Sequence, residues 1–421
     1  MMNRRVVVTG MGVVAPSGIG KDQLWERVRT GESDIEQVSQ FNVSAFPTTI
    51  AAEVRDFKPE EFMERRVVRR MARSTQFAVS AARLAWDDAR LQENSLNLDN
   101  IGVMEGTSLG PINSMFESHK LFLSEGCRKV NPTSLISSIN GAGSGAIAIQ
   151  FKLHGPCMTI SDGSASSTFA IGQGYRYIKN GLLDLALVGG SEAPLSAEIF
   201  ATFSCARLLS THNHEAHRAM KPFDRDRDGF VLGEGGVFFV LEELSHALSR
   251  GADIYAEISG FGETTDAYHP TSPNPDGRCI AQAMTMSLRE ANVSTSELHY
   301  LNAHGTATTA NDAVETTAIK RCFGERAFTL PVSSTKPITG HLLGACGALE
   351  VAISIMAIRH QYLPPTINLH IPDDHCDLDY IPSVGRTAVI ENVLTNNYSF
   401  SGRNASLVLK KFHQDKHHNH S

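Results

Sequence analysis

The sequence predicts an α/β fold made of two similar halves. Short runs rich in β-branched residues alternate along the chain with longer stretches of helical pattern, which is typical of α/β layering. Two segments, 157–178 and 330–355, each contain a strand pattern, a polar turn and a helix pattern rich in Gly, Ala and Ser. This internal similarity indicates duplication of one α/β unit.

The individual elements follow from the local pattern. The strand candidates are residues 6–10, 101–107, 157–161, 184–192, 235–243, 298–305, 331–335 and 406–411. The helix candidates are residues 68–91, 142–153, 165–180, 278–291, 312–321 and 342–360. No linker separates the halves, so we expect one body with an N-terminal half at 1–250, a C-terminal half at 251–412 and a frayed, His-rich tail at 413–421.

The composition argues against several classes of function. The net charge is −7 and the basic residues are mostly scattered, so no nucleic-acid partner is expected. The seven cysteines are an odd number and form no CxxC pair, so the sequence indicates neither a disulfide framework nor a metal site. A reducing, cytoplasmic location fits this cysteine usage best.

The N-terminus is interpreted as a first core strand and not as a secretory signal. Two arginines precede an apolar run there, but Thr9 and Gly10 interrupt the run and no clean cleavage site follows. No apolar stretch approaches the 18 residues of a membrane span, so no span is expected.

Two familiar motifs are matched only in part. Residues 10–15, GMGVVA, resemble the dinucleotide fingerprint, but Pro16 stands where the binding helix should run, so we interpret them as a turn within a core. Residues 224–229, DRDRDG, resemble the opening of a calcium loop, but the closing Glu234 comes one position early. A salt-bridged turn is the better interpretation of that segment.

A dispersed set of polar residues gives the strongest indication of function. Ser164 lies at a strand-to-helix turn, and His304 ends a strand before a helix that residues 311–312 are expected to cap. Lys336 follows another strand, and His341 begins the next helix. Because ligands of α/β proteins bind beyond the carboxyl ends of strands, these side chains are expected to meet in a cleft.

The motifs around these residues resemble those of a known family. The chain is similar to the elongating β-ketoacyl-acyl-carrier-protein synthases of type I/II in six segments that occur in the family's order: VVVTGMGVVAPSG, PFDRDRDGFVLGEGG, DAYHPTSP, NAHGTATTANDAVET, SSTKPITGHLLGACGALE and PPTINL. The match covers residues 4–411. It implies the thiolase fold, in which two duplicated α/β halves form a five-layered α-β-α-β-α body.

The resemblance also implies a chemistry. An acyl chain would move from the phosphopantetheine arm of an acyl carrier protein to a nucleophile, and a carbanion formed by decarboxylation of a malonyl group would attack it. The nucleophile position falls on Ser164. His304 and His341 would polarise the malonyl thioester, and no tightly bound cofactor or metal is implied.

Further residues take supporting roles by the same resemblance. Lys336 would complete the catalytic set and orient the site together with Glu350, and Asp312 would support it. The segment NNYSFSGRN matches a glycine-rich loop that carries a gating phenylalanine and backbone donors for an oxyanion. The gate and oxyanion residues of this chain would be Phe400, Ser399, Ser401 and Gly402.

The sequence departs from the family at the nucleophile and at the gate. The family has a cysteine in a Thr-Ala-Cys context, whereas residues 162–164 of this chain are Asp-Gly-Ser. A helix N-terminus ionises a thiol but not an alcohol, so Ser164 requires an adjacent base. Ser399 and Ser401 replace usual glycines and Arg403 replaces a usual threonine, which should stiffen the gate.

Two functions therefore stay open at the level of sequence. The first is a Ser164-dependent acyltransferase or condensing enzyme that acts on carrier-protein thioesters in fatty acid or polyketide biosynthesis. The second is a partner subunit, similar to a chain-length factor, that shapes the acyl tunnel of another ketosynthase. Relatives pair the strand at 157–161 across a dimer, so a homodimer or a heterodimer is expected.

Overall fold

Ten strands lie side by side in one mixed sheet of the computed structural model, which describes residues 4–414. They are β1 (Val6–Ala15), β2 (Ile101–Gly106), β3 (Cys157–Ile160), β4 (Leu185–Glu192), β5 (Gly235–Glu243), β6 (Ala256–Thr265), β7 (Tyr300–Asn302), β8 (Val332–Ser333), β9 (Asn392–Ser399) and β10 (Arg403–Lys410). Two-residue strands lie at Gly18–Ile19, which pairs with β1, and at Glu36–Gln37, Ile50–Ala51, Tyr362–Leu363 and Arg386–Thr387.

The strand order repeats in the two halves. The first half has the order β3-β2-β4-β5-β1 and the second has the order β8-β7-β9-β10-β6, which is the same pattern when each half is numbered from its own first strand. The pairing directions also match, because β2 is parallel to its neighbours β3 and β4 just as β7 is parallel to β8 and β9. This repeat confirms the predicted duplication.

The two copies are joined at a short seam. Strand β1 pairs antiparallel with β6 through Val6, Val7 and Val8 only. Helices from the two halves also pack against each other between the two parts of the sheet, and loop contacts such as the bridge between Leu232 and His341 add to the join.

The helices surround the sheet strands on both faces. The α-helices are α1 (Lys21–Thr30), α2 (Arg65–Val68), α3 (Arg73–Asp88), α4 (Ile112–Glu125), α5 (Ser134–Ser137), α6 (Ala142–Phe151), α7 (Ser166–Lys179), α8 (Ala197–Cys205), α9 (Leu244–Ser249), α10 (Arg278–Ala291), α11 (Thr309–Phe323), α12 (Lys336–Thr339) and α13 (Cys346–His360). Short 3-10 turns lie at Pro59–Glu61, Glu93–Ser95, Leu98–Asn100, Cys127–Lys129, Gly163–Ala165, Asn213–Arg218, Thr295–Glu297, Gly324–Thr329, Leu343–Ala345 and Phe400–Gly402.

These elements stack in five layers, as the thiolase fold requires. Helices α3 and α6 cover the outer face of the first half, and α10 and α11 cover the outer face of the second. Helices α7 and α13 pack against each other between the two parts of the sheet. Because α7 belongs to the first half and α13 to the second, the N-terminal ends of these two helices lie together in the middle of the molecule.

One helix corrects the expectation about apolar stretches. Residues 343–360 form a helical stretch of 18 residues that is long and apolar enough to cross a membrane, although the sequence pattern suggested that no stretch approached this length. Within this stretch, 89% of the residues are buried inside the protein. It is a core helix of the central layer, which is apolar because sheet strands cover it on both sides.

The glycines of residues 10–15 do not form the turn that we expected. Strand β1 continues through them to Ala15, so these residues do not form the strand-to-helix turn that a dinucleotide site requires. A Cβ on Gly12 would lie 1.9 Å from the Ala81 carbonyl oxygen of α3. Gly262 has the equivalent place in β6, where a Cβ would lie 2.0 Å from the Ala283 carbonyl oxygen of α10. These glycines let the outer helices approach the sheet closely.

Several elements differ from the sequence pattern. Strands β7 and β8 are shorter than predicted, and the second half of β9 lies within the segment that the resemblance made a loop. Its two central asparagines, Asn396 and Asn397, are fully buried. The Asn396 side-chain oxygen accepts a hydrogen bond from the Ser406 hydroxyl of β10 at 2.7 Å, which satisfies this buried polar group. Buried asparagines are not part of the apolar pattern that predicts a strand.

Replacing Gly12 by Ala is expected to destabilise the fold by about 1–3 kcal/mol, because the added methyl group pushes helix α3 away from β1. The free energy of unfolding in urea measures this loss. Gly145→Ala in α6 is the matched control, since a Cβ there meets no atom within 4 Å. A Gly12→Ala protein as stable as the control would contradict the close packing of these layers.

Candidate functional site

Ser164 lies in the tight turn between β3 and α7. Gly163 begins this 3-10 turn with a φ of +59°, which is a left-handed conformation that glycine adopts without strain. The Ser166 hydroxyl closes the turn, since it accepts the Asp162 N–H at 2.8 Å and donates to the Gly163 carbonyl at 2.6 Å. The turn therefore holds the half-buried Ser164 at the N-terminal end of α7.

The second half repeats this turn in front of α13. Leu343 has a φ of +45° at the position that corresponds to Gly163, and the Leu342 N–H donates to the Cys346 sulfur at 3.1 Å. His341 precedes this turn and pairs with Leu232 in an isolated β-bridge. It therefore lies outside the helix that the sequence predicts to begin near this residue. The two turns face each other across the central layer.

This arrangement brings Ser164 to His341. The Ser164 hydroxyl lies 3.4 Å from His341 Nε2, while Nδ1 of the same ring accepts the Leu343 N–H at 3.0 Å. Burial lowers the His341 pKa well below its usual value, and the Lys336 charge lowers it further. A neutral imidazole whose Nδ1 accepts a hydrogen bond carries its proton on Nε2, so His341 presents an N–H to Ser164.

His304 is held in the same protonation state by different contacts. Its backbone N–H donates to Glu315 at 2.8 Å, and its Nδ1 lies 3.4 Å from both Lys336 Nζ and Asn397 Nδ2. Both of these neighbours are donors, so Nδ1 is the acceptor. Burial, with smaller effects from the Lys336 and His341 charges, lowers the His304 pKa well below its usual value. His304 thus also carries its proton on Nε2.

A buried ion pair lies beneath His304. Lys336 Nζ donates to a Glu350 carboxylate oxygen and to the His304 carbonyl oxygen, and Asn397 Nδ2 donates to the other Glu350 oxygen. Burial alone would lower the Lys336 pKa, but the Glu350 charge outweighs it and raises that pKa. The ammonium group is therefore held beside His304 Nδ1, where its charge adds to the effect of burial in keeping the imidazole neutral.

Asp312 supports the loop that carries His304, but it does not cap the following helix. Helix α11 begins earlier than predicted, and its N-cap is Thr308, whose side chain accepts the Asn311 N–H. The Asp312 carboxylate accepts the Thr306 N–H at 3.1 Å and the Phe223 N–H at 2.8 Å. Its charge is oriented toward backbone donors and toward Arg227, whose Nε is 3.9 Å away.

The segment 224–229 is a turn held by ion pairs and hydrogen bonds. Asp224 accepts the backbone N–H groups of His370 at 2.7 Å and Ile371 at 2.9 Å, and Arg227 pairs with Asp373 at 2.8 Å. Within residues 4–414, no group of three or more His, Cys, Asp or Glu side chains is arranged to hold a metal ion. The histidines of the tail at 417, 418 and 420 lie outside the described residues.

A cavity of about 430 Å³ opens onto the site. Ser164, His304 and His341 line it together with Ser399 and Phe400, whose side chain is 45% exposed. The remaining residues predicted for the site lie around the cavity without lining it: Lys336, Glu350, Asp312, Ser401 and Gly402. The structure thus brings the serine, the two histidines and the phenylalanine to one space.

Three residues of the site were not found from the sequence. Glu315 holds the backbone of His304 and Gly305, Asn397 binds Glu350, and the Cys346 sulfur lies 3.2 Å from His341 Nδ1. All three stand inside motifs that the sequence singled out. Their roles depend on how the loop of His304 and the turn of His341 fold back on the following helices and on the contact between Asn397 and Glu350, which spacing alone does not reveal.

Comparison with known proteins finds a protein family and relatives that match most of the chain. Residues 3–247 match the N-terminal domain of β-ketoacyl synthase, and residues 255–370 match its C-terminal domain. The chain is 42% identical over 411 residues to 3-oxoacyl-(acyl-carrier-protein) synthase 2 of Coxiella burnetii, with 98% of this chain and 99% of that protein covered.

Solved structures show the same architecture. The ishigamide ketosynthase/chain length factor superposes with a TM-score of 0.92 at 34% identity, covering 98% of this chain and 100% of the other. A type II PKS acyl-carrier protein in complex with its ketosynthase bound to the hexaketide gives a TM-score of 0.90 at 33% identity, with the same coverage.

Removing one partner of the buried ion pair is expected to destabilise the protein strongly. Lys336→Met leaves the Glu350 carboxylate buried without its counter-charge, so we expect a loss of about 3–5 kcal/mol in the free energy of unfolding. The double variant Lys336→Met/Glu350→Leu should recover most of this loss, because it leaves no charge unpaired. Urea unfolding of both proteins measures the effect, and equal stabilities would contradict the coupling.

Proposed function

The chain belongs to the β-ketoacyl synthase family, and on this premise we propose that it catalyses acyl transfer and decarboxylative condensation on acyl-carrier-protein thioesters. The observation that carries the proposal is the shared cavity of Ser164, His304 and His341, with an N–H on Nε2 of both rings. The phosphopantetheine arm of the carrier protein would deliver the thioester into this cavity.

The proposed reaction has two stages. In the first, the Ser164 oxygen attacks the acyl thioester, the carbon–sulfur bond breaks, and the thiol of the arm leaves with the hydroxyl proton. In the second, a malonyl thioester loses CO₂, and its carbonyl oxygen is stabilised as an enolate by the N–H groups of His304 and His341. The resulting carbanion attacks the carbonyl carbon of the Ser164 ester, the bond from that carbon to the serine oxygen breaks, and a β-ketoacyl thioester is released. The serine alkoxide takes the Nε2 proton of His341, which water replaces, and the hydroxyl is restored.

The histidine protonation states favour the second stage over the first. Decarboxylation needs hydrogen-bond donors, and both imidazoles are donors on Nε2. Acylation of Ser164 needs a base, and His341 becomes one only if Nδ1 gives up the Leu343 N–H. We therefore propose that malonyl decarboxylation is faster than condensation in this chain.

An exposed edge of the sheet supports assembly into a dimer. Strand β3 ends the sheet, and helix α6 beside it exposes Ile149 at 82%. Leu135 and Ile136 of α5 are exposed at 77% and 69%. Exposed apolar side chains of this size mark protein interfaces, so we propose a dimer through β3. The second chain would be another copy or a different ketosynthase-like subunit.

Acylation of Ser164 can be tested by intact mass measurement after incubation with acyl-loaded carrier protein. We expect an acyl adduct on the native chain and none on Ser164→Ala. Ser164→Cys should be acylated at least about tenfold faster, because the thiolate is available near neutral pH.

The same samples distinguish the two functions. A native chain that takes no acyl group, and that is stable only with a second ketosynthase-like chain, would refute the enzyme and support the partner subunit. Sedimentation of the purified chain reports the assembly, and a monomer at micromolar concentration would contradict the dimer.

The pH dependence of decarboxylation follows from the lowered histidine pKa values. In the Ser164→Ala variant, malonyl thioester decarboxylation should stay constant as the pH falls from about 8 to about 6.5, where an ordinary histidine is already half protonated. The rate should fall only at lower pH, when protonation of Nδ1 breaks its acceptor contacts. CO₂ release measured across this range checks the prediction, and a twofold fall by pH 6.5 would contradict it.

A further inference from the structure

The loop that carries Phe400 is tied to the turn that carries Ser164. We call residues 399–403 the gate loop and residues 162–164 the serine turn. Arg403 Nη1 lies 2.6 Å from Asp162 Oδ1, and these side chains are 48% and 17% exposed. A direct charged link therefore joins the end of the gate loop to the start of the serine turn.

A close steric fit accompanies the ion pair. A Cβ on Gly163 would lie 2.9 Å from Ser399 Cβ and 3.3 Å from its hydroxyl oxygen. The Ser399 side chain therefore occupies the space that a larger residue at position 163 would need. The gate loop and the serine turn differ from the family pattern at facing positions, and each change fits the other.

The opposite side of the gate loop is held by backbone contacts. The Ser401 N–H donates to the Pro270 carbonyl at 2.7 Å, and the Asp266 N–H donates to the Gly402 carbonyl at 2.7 Å. Ser401 and Gly402 both have left-handed φ values, of +64° and +71°. The non-glycine residue Ser401 holds this conformation at a cost, so the loop depends on its contacts to keep its shape.

We propose that the Arg403–Asp162 ion pair is a latch that keeps the gate loop closed against the serine turn and thereby sets the range of acyl chains that reach Ser164. Since Phe400 belongs to the loop and lines the cavity, release of the latch moves the phenylalanine and admits longer chains. Arg403 and Asp162 are positioning residues in this scheme. The inference about chain length rests on the proposed acyl transfer, whereas the latch itself does not.

The size of the effect follows from the exposure of the pair. An ion pair that is open to solvent on one side changes an opening equilibrium by up to about fivefold. Raising the salt concentration from about 0.1 M to about 1 M shortens the screening length from about 10 Å to about 3 Å, so salt weakens the latch.

Hydrogen exchange of the full chain tests the latch without any catalytic activity. Asp162→Asn and Arg403→Gln should each raise the exchange rate of the peptide covering residues 399–403 by about threefold to fivefold. The double variant should exceed neither single variant, and the reversed pair Asp162→Arg/Arg403→Asp should restore slow exchange. Arg359→Gln, which removes a distant exposed ion pair with Asp253, is the control and should leave this peptide unchanged.

Acyl transfer from carrier protein loaded with dodecanoyl or acetyl groups tests the effect on chain length. Both single variants should raise the dodecanoyl-to-acetyl ratio of Ser164 acylation by a factor similar to the change in exchange. The same ratio is measured in parallel on a Ser164→Cys background, where the thiol is acylated more readily.

The outcomes separate the latch from the proposed function. Wild-type exchange in both single variants, or additive effects in the double variant, would overturn the latch. Faster exchange with an unchanged acyl ratio on the Ser164→Cys background would overturn its control of chain length. Faster exchange with no acylation at Ser164 in the native chain would support the latch and refute the serine as an acyl acceptor.

Discussion

The site depends on how closely helices α7 and α13 pack at their N-terminal ends. The Ala348 N–H of α13 donates to the Ser167 hydroxyl of α7 at 2.9 Å, and a Cβ on Gly347 would lie 1.9 Å from the Thr168 hydroxyl oxygen. Only small residues allow this approach. Because each helix follows a tight turn, the contact also brings the two turns together, with Ser164 on one and residues 341–345 on the other.

Buried charge is the second constraint on the site. Lys336 and Glu350 form an ion pair in the core, and Glu315 lies beside them with its pKa raised to about 7 by burial. Each of these groups is satisfied by specific donors or acceptors, which fixes the loop of His304. The two imidazoles are neutral because they are buried, and the Lys336 charge adds to this effect. Neutral rings with their protons on Nε2 suit a reaction whose transition state carries an oxyanion.

The sequence predicted the fold class, the duplication and five of the residues that line the cavity, which are Ser164, His304, His341, Ser399 and Phe400. Ser164 and His304 follow the ends of strands and His341 precedes the turn before α13, and chain pattern is most informative at such junctions. It missed β9, because Asn396 and Asn397 are buried polar residues whose hydrogen bonds are made to other segments. It also treated Gly10 and Gly12 as a turn, since a glycine needed for close helix packing looks the same in sequence as one needed for a positive φ.

The protonation state of His341 shows what sequence cannot supply. A histidine near a serine suggests a general base, but the Leu343 N–H decides which nitrogen is free. That donor is a backbone N–H in a turn whose residue Leu343 has a left-handed conformation. The residue type at position 343 does not predict this conformation. The geometry of the turn therefore sets the chemistry of the ring.

The short seam between β1 and β6 has a consequence for how the protein assembles. Ser164 and His341 are 177 positions apart in the chain, and only three residues of β1 pair with the second half. The cavity therefore depends on contacts of high sequence separation, which are slow to form during folding. Local opening between the central helices would separate Ser164 from His341 without unpairing the strands within either half.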